Sequence, residues 1–445
     1  MPLEREQRLE DGFLMRSYKR KTVEFVRGEG MRLYDDAGAE YLDFLAGIGA
    51  VSVGHTNPRV VRAIQEQAAK LMHVSNYYYI EGRGELAQKI SGLLNAGGAG
   101  ASAGGAGAAG ASAGTAEAAS LAAEGAAGAE GVDAAEGTAN LGPWRSFFTN
   151  SGAEAVEAAI KIARKYGAHC LEGADTIVTA RRSFHGRTLA ALAATGQHAK
   201  QDSFRPLPQG FIHVDLNDIS ALRSALRQGF GGRAVCALLL EPIQGEGGVY
   251  PCTEDYLRAA RELTAEHGIL LMLDEVQTGF YRTGSYPFAF QHYGIMPDVV
   301  TLAKGMGAGM PIGAVAARGP AAETFEPGDH GSTFGGSVLA IAAANATLDE
   351  LEAMGAGRRV EEVGAYLRER LVELPLVTEV RGRGLMVGVE FGEPVAEQIV
   401  DAALGQGLVL NSIGQHNLRF LPPLICTRED IDLLMERLQA ILEQL

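Results

Sequence analysis

Five short apolar runs set the strongest limit on how this chain folds. RSFFTN, TIVTA, CALLLEP, ILLMLDE and DVVTLAK follow one another between Arg145 and Lys304, with helical segments between them. Strands that are apolar throughout fit a parallel sheet covered by helices on both faces, not a sheet with one wet side. In such a sheet the chemistry sits at the C-terminal ends of the strands. Asp274 ends the ILLML run and Lys304 follows DVVTLA, so an acid and an amine occupy those ends. A carboxylate at the end of so apolar a run is costly to bury unless it has a partner.

The flanking regions have different patterns. Between about Tyr18 and Ala50 the chain alternates in short pieces such as MRLYDDAGAEYLDFLAG, where Asp35 to Gly38 supplies a turn, so a small antiparallel unit is expected. Apolar residues at helical spacing predict a helix from Pro58 to Leu71, leading to the cluster SNYYY at Ser75 to Tyr79, which fits a pocket lining or a buried aromatic patch. From Ala96 to Ala139 the residues are almost all Ala, Gly, Ser and Thr, a composition that builds no packed core and reads as a surface insertion. After about Leu339 come a long helix, the hairpin-like VTEVRGRGLMVGVEF, another helix, LRFLPPL and a terminal helix from Arg428. The expected organisation is α/β: a large domain over residues 76–335 with a mostly parallel sheet flanked by helices, interrupted at about 96–139. A smaller α+β domain is expected from the two chain ends, residues 1–75 and 336–445.

Composition narrows the partners. A net charge of −15 and a pI near 5.2 argue against nucleic acid and anionic membranes, which attract basic surfaces. Cys170, Cys236, Cys252 and Cys426 are scattered without CxxC spacing, so no metal site and no disulfide framework is expected. The N-terminus MPLEREQRLEDGF lacks a signal-peptide core, and no run is long enough to span a bilayer. A cytoplasmic protein acting on small molecules is the expectation.

The pairing of Lys304 with Asp274 fits a pyridoxal phosphate (PLP) site. An aldehyde cofactor needs a lysine amine to hold it as a Schiff base and a carboxylate to keep its ring nitrogen protonated. Four further segments fit around this pair. TNSGAEAVEAAIKIARKYG places Ser151, Gly152 and Ala153 between a strand and a helix, where free N–H groups meet a phosphate, although a plain Ser N-cap explains the same residues. In SFHGRT, Phe184 suits stacking on a flat ring and Arg187 suits a carboxylate, while His185 reads as a packing or hydrogen-bonding residue. LLLEPIQGEGGV carries Glu241 and Glu246, which suit positioning a cofactor or neutralising an arginine. Gln277 suits a ring oxygen, and Ser332 and Thr333 in DHGSTFGG offer hydroxyls to a phosphate or substrate, with turn formation as the plainer explanation for each.

Taken in order, FFTNSGAEA, SFHGRT, LEPIQGEGGV, LLMLDEVQTGFYRTG, TLAKGMGAGMPIGA, HGSTFGG and LRFLPPL closely resemble the class III aminotransferases, PLP enzymes of fold type I. The likeness runs from about Val23 to the C-terminus, apart from the Ala/Gly insertion. It implies a homodimer with active sites shared at the subunit interface. It gives Lys304 the Schiff base, Asp274 the pyridine nitrogen and Gln277 the ring hydroxyl, with Glu275 and Val276 lining the same turn. Gly152 and Ala153 would hold the phosphate from one subunit and Thr333 from the other, with Phe184 stacked on the ring. Arg187 and Ser332 match contacts to an acylated ornithine, Arg419 the grip on an α-carboxylate, and Glu246 the acid that pairs with that arginine when the long-chain donor binds. The implied reaction moves the terminal amino group of N-acetylornithine to 2-oxoglutarate, giving N-acetylglutamate semialdehyde and glutamate, a step of arginine biosynthesis. Related enzymes act on succinylornithine, ornithine, lysine-pathway amines or 4-aminobutyrate, and a non-catalytic PLP-binding protein is the alternative of another class. Two departures stand out: Val156 replaces an Asn common in relatives, and the insertion interrupts the chain just before the phosphate-binding strand.

Overall fold

Strand formation begins where short alternating pieces meet turn residues. In the computed structural model, which describes residues 2–96, 142–229 and 231–445, β1 (Phe25–Glu29), β2 (Arg32–Asp35) and β3 (Glu40–Asp43) form an antiparallel meander. Asp35 closes its turn, because its Oδ1 accepts the N–H of Ala37 and of Ala39 at 3.0 and 2.8 Å. The Ala/Gly-rich stretch expected at about 96–139 lies, but for Ala96, outside the described residues.

The central sheet is built from β4 (Arg145–Thr149), β5 (Thr176–Ala180), β6 (Phe211–Val214), β7 (Val235–Leu240), β10 (Leu270–Asp274), β11 (Val299–Leu302) and β12 (Gly313–Ala317), while β8 (Ile243–Gln244) and β9 (Tyr250–Pro251) form a separate short pair. Its strand order is β4-β12-β11-β10-β7-β5-β6. From β11 to β6 every neighbouring pair is parallel, and only β12 runs against its neighbours β11 and β4. Every residue of β5, β7, β10, β11 and β12 is buried, as a sheet covered on both faces requires. A fully buried Leu such as Leu239 or Leu271 contributes about 1.5–3 kcal/mol to folding.

The helix Gly152–Cys170 starts at Ser151, whose Oγ accepts the N–H of Glu154 at 3.3 Å. Val156, Ala159, Ile160 and Ala163 are buried in one apolar cluster with Ile177, Leu239 and Val299 of the sheet. Val156 therefore occupies a dry position that suits its apolar side chain.

The C-terminal part holds helices Val338–Ala353 and Ala356–Val372, where one long helix was expected. Gly355 divides them with φ +60, a left-handed conformation that glycine adopts without the usual penalty. Strands β13 (Val377–Arg383), β14 (Met386–Phe391), β16 (Asn411–Ile413) and β17 (Asn417–Phe420) make an antiparallel sheet ordered β13-β14-β17-β16. Between them, β15 (Leu408–Val409) leaves this sheet and pairs in parallel with β3, so the two ends of the chain share one sheet. The terminal helix Arg428–Leu442 opens with a capping box between Thr427 and Asp430.

The SNYYY cluster does not form a buried aromatic patch in the single chain. Tyr77, Tyr78 and Tyr79 are 94%, 64% and 103% exposed, although Asn76 beside them is tied to the carbonyls of Ser332 and Gly335 at 2.7 and 3.1 Å. Among the described residues no helix is long and apolar enough to cross a membrane.

Candidate active site

A cavity of about 360 Å³ opens where the parallel strands end. Its floor comes from the ends of β10 and β11, its sides from the loops after β5 and β7, and one corner from the start of the helix after β4. Asp274, Val276, Gln277, Lys304, Gly152, Ala153, Phe184, Arg187 and Glu246, all singled out in the sequence, line it.

Asp274 is 5% exposed and held by three neighbours. Its Oδ1 accepts the hydroxyl of Thr301 at 3.0 Å and the N–H of Val276 at 3.1 Å, while Oδ2 lies 2.8 Å from Nδ1 of His185. Facing it, Lys304 sits two residues beyond the end of β11 with φ +43, a backbone conformation rare for lysine that turns the chain out of the sheet. The hydroxyl of Ser52 holds this bend by donating to the carbonyl of Gly305 at 2.7 Å. Burial pushes the Lys304 amine below its ordinary value, and the charge of Arg419 adds to this against the pull of Asp274, Glu246 and Glu241. A lysine so placed loses its proton more readily and is a better nucleophile and base.

The rim carries a second charged group. Arg419 from β17 is ion-paired with Glu246 and also donates to Asn411 Oδ1 at 2.8 and 3.2 Å and to Gln277 Oε1 at 3.3 Å. Its side chain is 1% exposed, so this pairing is what makes its burial tolerable. Burial works to raise the Glu246 carboxyl, but the Arg419 guanidinium outweighs it and holds the carboxyl below the ordinary value. At Gly245 a Cβ would lie 2.1 Å from Gln277 Oε1, so a larger residue would displace the Gln277 side chain.

Glu241 lies deeper. Burial raises its carboxyl to about 7, helped by the nearby Asp274, and its oxygens accept the N–H of Phe184 at 2.9 Å and of Gly245 at 3.1 Å. It thereby fixes the loop that presents Phe184, whose ring centroid lies 5.3 Å from the Arg187 guanidinium carbon.

Four singled-out residues do not line the cavity, and one of them, Arg419, reaches it only through its lining residues Glu246 and Gln277. Glu275 is fully buried behind the floor, accepting from Thr278 Oγ1 and from the N–H groups of Ala289 and Phe290 at 3.0 and 2.9 Å. Burial pushes its carboxyl up to about 7 against these donors. Ser332 Oγ accepts from Asn150 Nδ2 at 3.1 Å and from the Gly335 N–H at 2.9 Å. Thr333 is exposed on the same loop. Asn411 and Thr301 were not visible as site residues in the sequence, because nothing local to either marks what it touches. His185 was taken for a packing or hydrogen-bonding residue, and its partner proves to be Asp274. The cost of burying an acid after ILLML was the signal that such a partner existed.

Residues 14–442 match the family described as aminotransferase class-III. The chain is a class III aminotransferase. It is 43% identical over 441 residues, 98% of each chain, to the acetylornithine aminotransferase of Caldanaerobacter subterraneus subsp. tengcongensis. It superposes on the ornithine aminotransferase of Toxoplasma gondii with a TM-score of 0.83 at 29% identity, covering 100% of this chain and 96% of that one. Against the acetylornithine aminotransferase of Elizabethkingia anophelis the TM-score is 0.78 at 30% identity, covering 100% and 99%. The family places an amino donor and a keto acid as the substrates. PLP is its cofactor, and this aminotransferase has groups that fit it. No acceptor among the described residues takes the backbone N–H of Gly152 or Ala153 at the positive end of their helix, which suits a phosphate. Gly152 also keeps this corner tight, since a Cβ there would lie 2.7 Å from Val276 Cγ1.

Proposed function

We propose that the enzyme transfers the terminal amino group of N-acetylornithine to 2-oxoglutarate, forming N-acetylglutamate semialdehyde and glutamate, as a step of arginine biosynthesis. The observation that carries this reading is the meeting of Lys304 and Asp274 on one cavity floor with the Glu246–Arg419 pair on its rim. Bound PLP supplies an electron sink for the carbon that carries the amine. Lys304 would hold that cofactor through its Nζ, and the same Nζ, once free, would be the base that takes and returns the proton of the amine-bearing carbon of the donor. Asp274, held in place by Thr301, Val276 and His185, would keep the pyridine nitrogen of the cofactor protonated. Gln277 would serve the ring hydroxyl, Phe184 and Val276 would pack against the ring, and Gly152 with Ala153 would hold the phosphate. Glu275, fixed by the N–H groups of Ala289 and Phe290, braces the turn that carries both Val276 and Gln277.

Arg187 and Ser332 are assigned to the acylated donor and Arg419 to the α-carboxylate of 2-oxoglutarate. While the donor is bound, Glu246 neutralises Arg419. When the dicarboxylate enters, Glu246 gives way and Arg419 binds it. We also propose a homodimer in which the partner subunit brings Thr333 to the phosphate. Exposure of Tyr77, Tyr78, Tyr79 and Phe334, the last at 61%, supports a covered face there. All four cysteines are free, which supports a reducing cytoplasm.

Ornithine is the second reading, favoured by the TM-score of 0.83 to an ornithine aminotransferase. The test is the visible spectrum of the PLP-loaded protein titrated with N-acetylornithine, succinylornithine, ornithine and 4-aminobutyrate. N-acetylornithine is expected to bleach the cofactor band at the lowest concentration, and 2-oxoglutarate to restore it. Preference for ornithine establishes the second reading, and no response to any amine points to a PLP-binding protein without turnover.

A further inference from the structure

The C-terminal sheet carries a second arginine level with Arg419. Across β13, β14, β17 and β16 the residues Arg381, Gly388, Arg419 and Asn411 stand opposite one another in one register row. Directly paired residues of an antiparallel sheet share a face, so the two arginines flank a glycine gap there. The loop between β8 and β9 fills that gap: a Cβ on Gly388 would lie 2.8 Å from Val249 Cβ and 3.1 Å from the Gly248 carbonyl oxygen. One arginine grips each side of the loop. Arg419 takes the Glu246 carboxylate, while Arg381 Nε donates to the carbonyl of Gly248 at 2.8 Å.

The two grips differ in permanence. Arg381 is buried, and its other nitrogens donate to Glu379 Oε2 at 2.9 Å, to Glu390 Oε2 at 2.6 Å and to Asn417 Oδ1, with the guanidinium carbon 4.0 Å from the centroid of the Tyr250 ring. Two carboxylates hold it whatever Glu246 does. Arg419 is ion-paired with Glu246, the acid that must leave for the dicarboxylate to bind. Gly248 and Asn417, which Arg381 joins, follow Glu246 and precede Arg419 closely along the chain. We propose that Arg381 is a positioning residue for the exchange at Arg419: it keeps the loop between β8 and β9 seated on the C-terminal sheet, so that Glu246 opens and closes on Arg419 by side-chain rotation alone. The inference rests on the Glu246–Arg419 exchange of the proposed function. A seated loop keeps Glu246 on Arg419, and 2-oxoglutarate must break that pair to bind. A loosened loop weakens the pair, so the dicarboxylate binds more tightly, the opposite of what a damaged pocket does.

The test is calorimetric titration of the PLP-loaded protein with 2-oxoglutarate, which binds that form without turnover because it has no amino group to hand over. Arg381→Lys keeps the charge beside Glu379 and Glu390 but loses the planar fork that reaches Gly248 and Asn417 together. Gly388→Ala pushes the loop off the same row and leaves both arginines in place. Each variant is expected to bind 2-oxoglutarate about fivefold more tightly than the wild type, the scale of one weakened hydrogen bond to a charged group. Glu246→Gln sets the upper limit, since the amide frees Arg419 from its ion pair. Wild-type or weaker binding in Arg381→Lys, with tighter binding in Glu246→Gln, shows that charge alone matters at this position and overturns the positioning role. If Arg381→Lys does not fold, Gly388→Ala decides by the same measure. No tightening in Glu246→Gln fails the exchange itself instead.

Discussion

The floor and the rim of the cavity are built by different means. The floor comes from neighbouring strands of one sheet: β10 ends at Asp274 and β11 runs beside it in register, Asp274 opposite Thr301, three residues before Lys304. The rim joins Glu246, in the loop after β8, to Arg419 in β17, 173 residues further along the chain. A floor set by a rigid, dry sheet suits chemistry that tolerates little displacement. A rim assembled from two packed units suits a group that must change partners between two substrates. The comparison teaches that the reaction and its selectivity are separable in this molecule, and substitutions in the two regions should separate them.

Lys304→Ala is expected to have the largest effect, lowering turnover of N-acetylornithine with 2-oxoglutarate about 10³-fold or more while the folded far-ultraviolet spectrum is kept. A variant that turns over at the normal rate would remove the lysine from the mechanism. Asp274→Asn should follow, at about 10²-fold in kcat, because the amide cannot match the charge that the ring nitrogen needs. KM should move little, and a change confined to KM would assign Asp274 to the rim in function.

Arg419→Lys tests the rim itself. Losing the planar fork that holds Glu246 and Asn411 is expected to raise KM for 2-oxoglutarate about tenfold, with a smaller change for the amine donor. Equal effects on both substrates would contradict a partner-changing arginine. Smallest is an effect of Glu275 on stability alone. Its carboxyl is raised from 4.5 to about 7, so the folded state binds this proton more tightly than the unfolded chain does. That contribution is fully present below pH 4.5 and is lost as pH rises towards about 7. The melting temperature of Glu275→Gln, measured from pH 4 to 8, should therefore fall less across this window than that of the wild type. Parallel curves would show that folding leaves the Glu275 carboxyl at its ordinary value.

The floor was legible because its signals are local. A run of apolar residues closed by an acid, and another followed by a lysine, state both the strand and the strand end. Ser151 before its helix and the turn at Asp35 were legible for the same reason. Strands β6 and β12 were not read: FIHV is short and GAVAA is made of small residues, so neither stands out by pattern, and nothing in a sequence reports that β12 runs antiparallel. The helix break at Gly355 was missed because a single glycine within an apolar pattern is compatible with a continuous helix.

Local patterning is enough for five of the seven strands, for the acid and the amine at their ends, and for the class of enzyme, since hydrophobic periodicity and short ordered motifs are properties of neighbouring residues. Only the tertiary structure decided which partners those residues meet. His185 against Asp274, Asn411 on Arg419, Glu275 turned away from the cavity and Lys200 beside Phe184 depend on how distant segments pack. Electrostatics and hydrogen bonding act through space over a few ångströms, and separation along the chain carries no record of that distance.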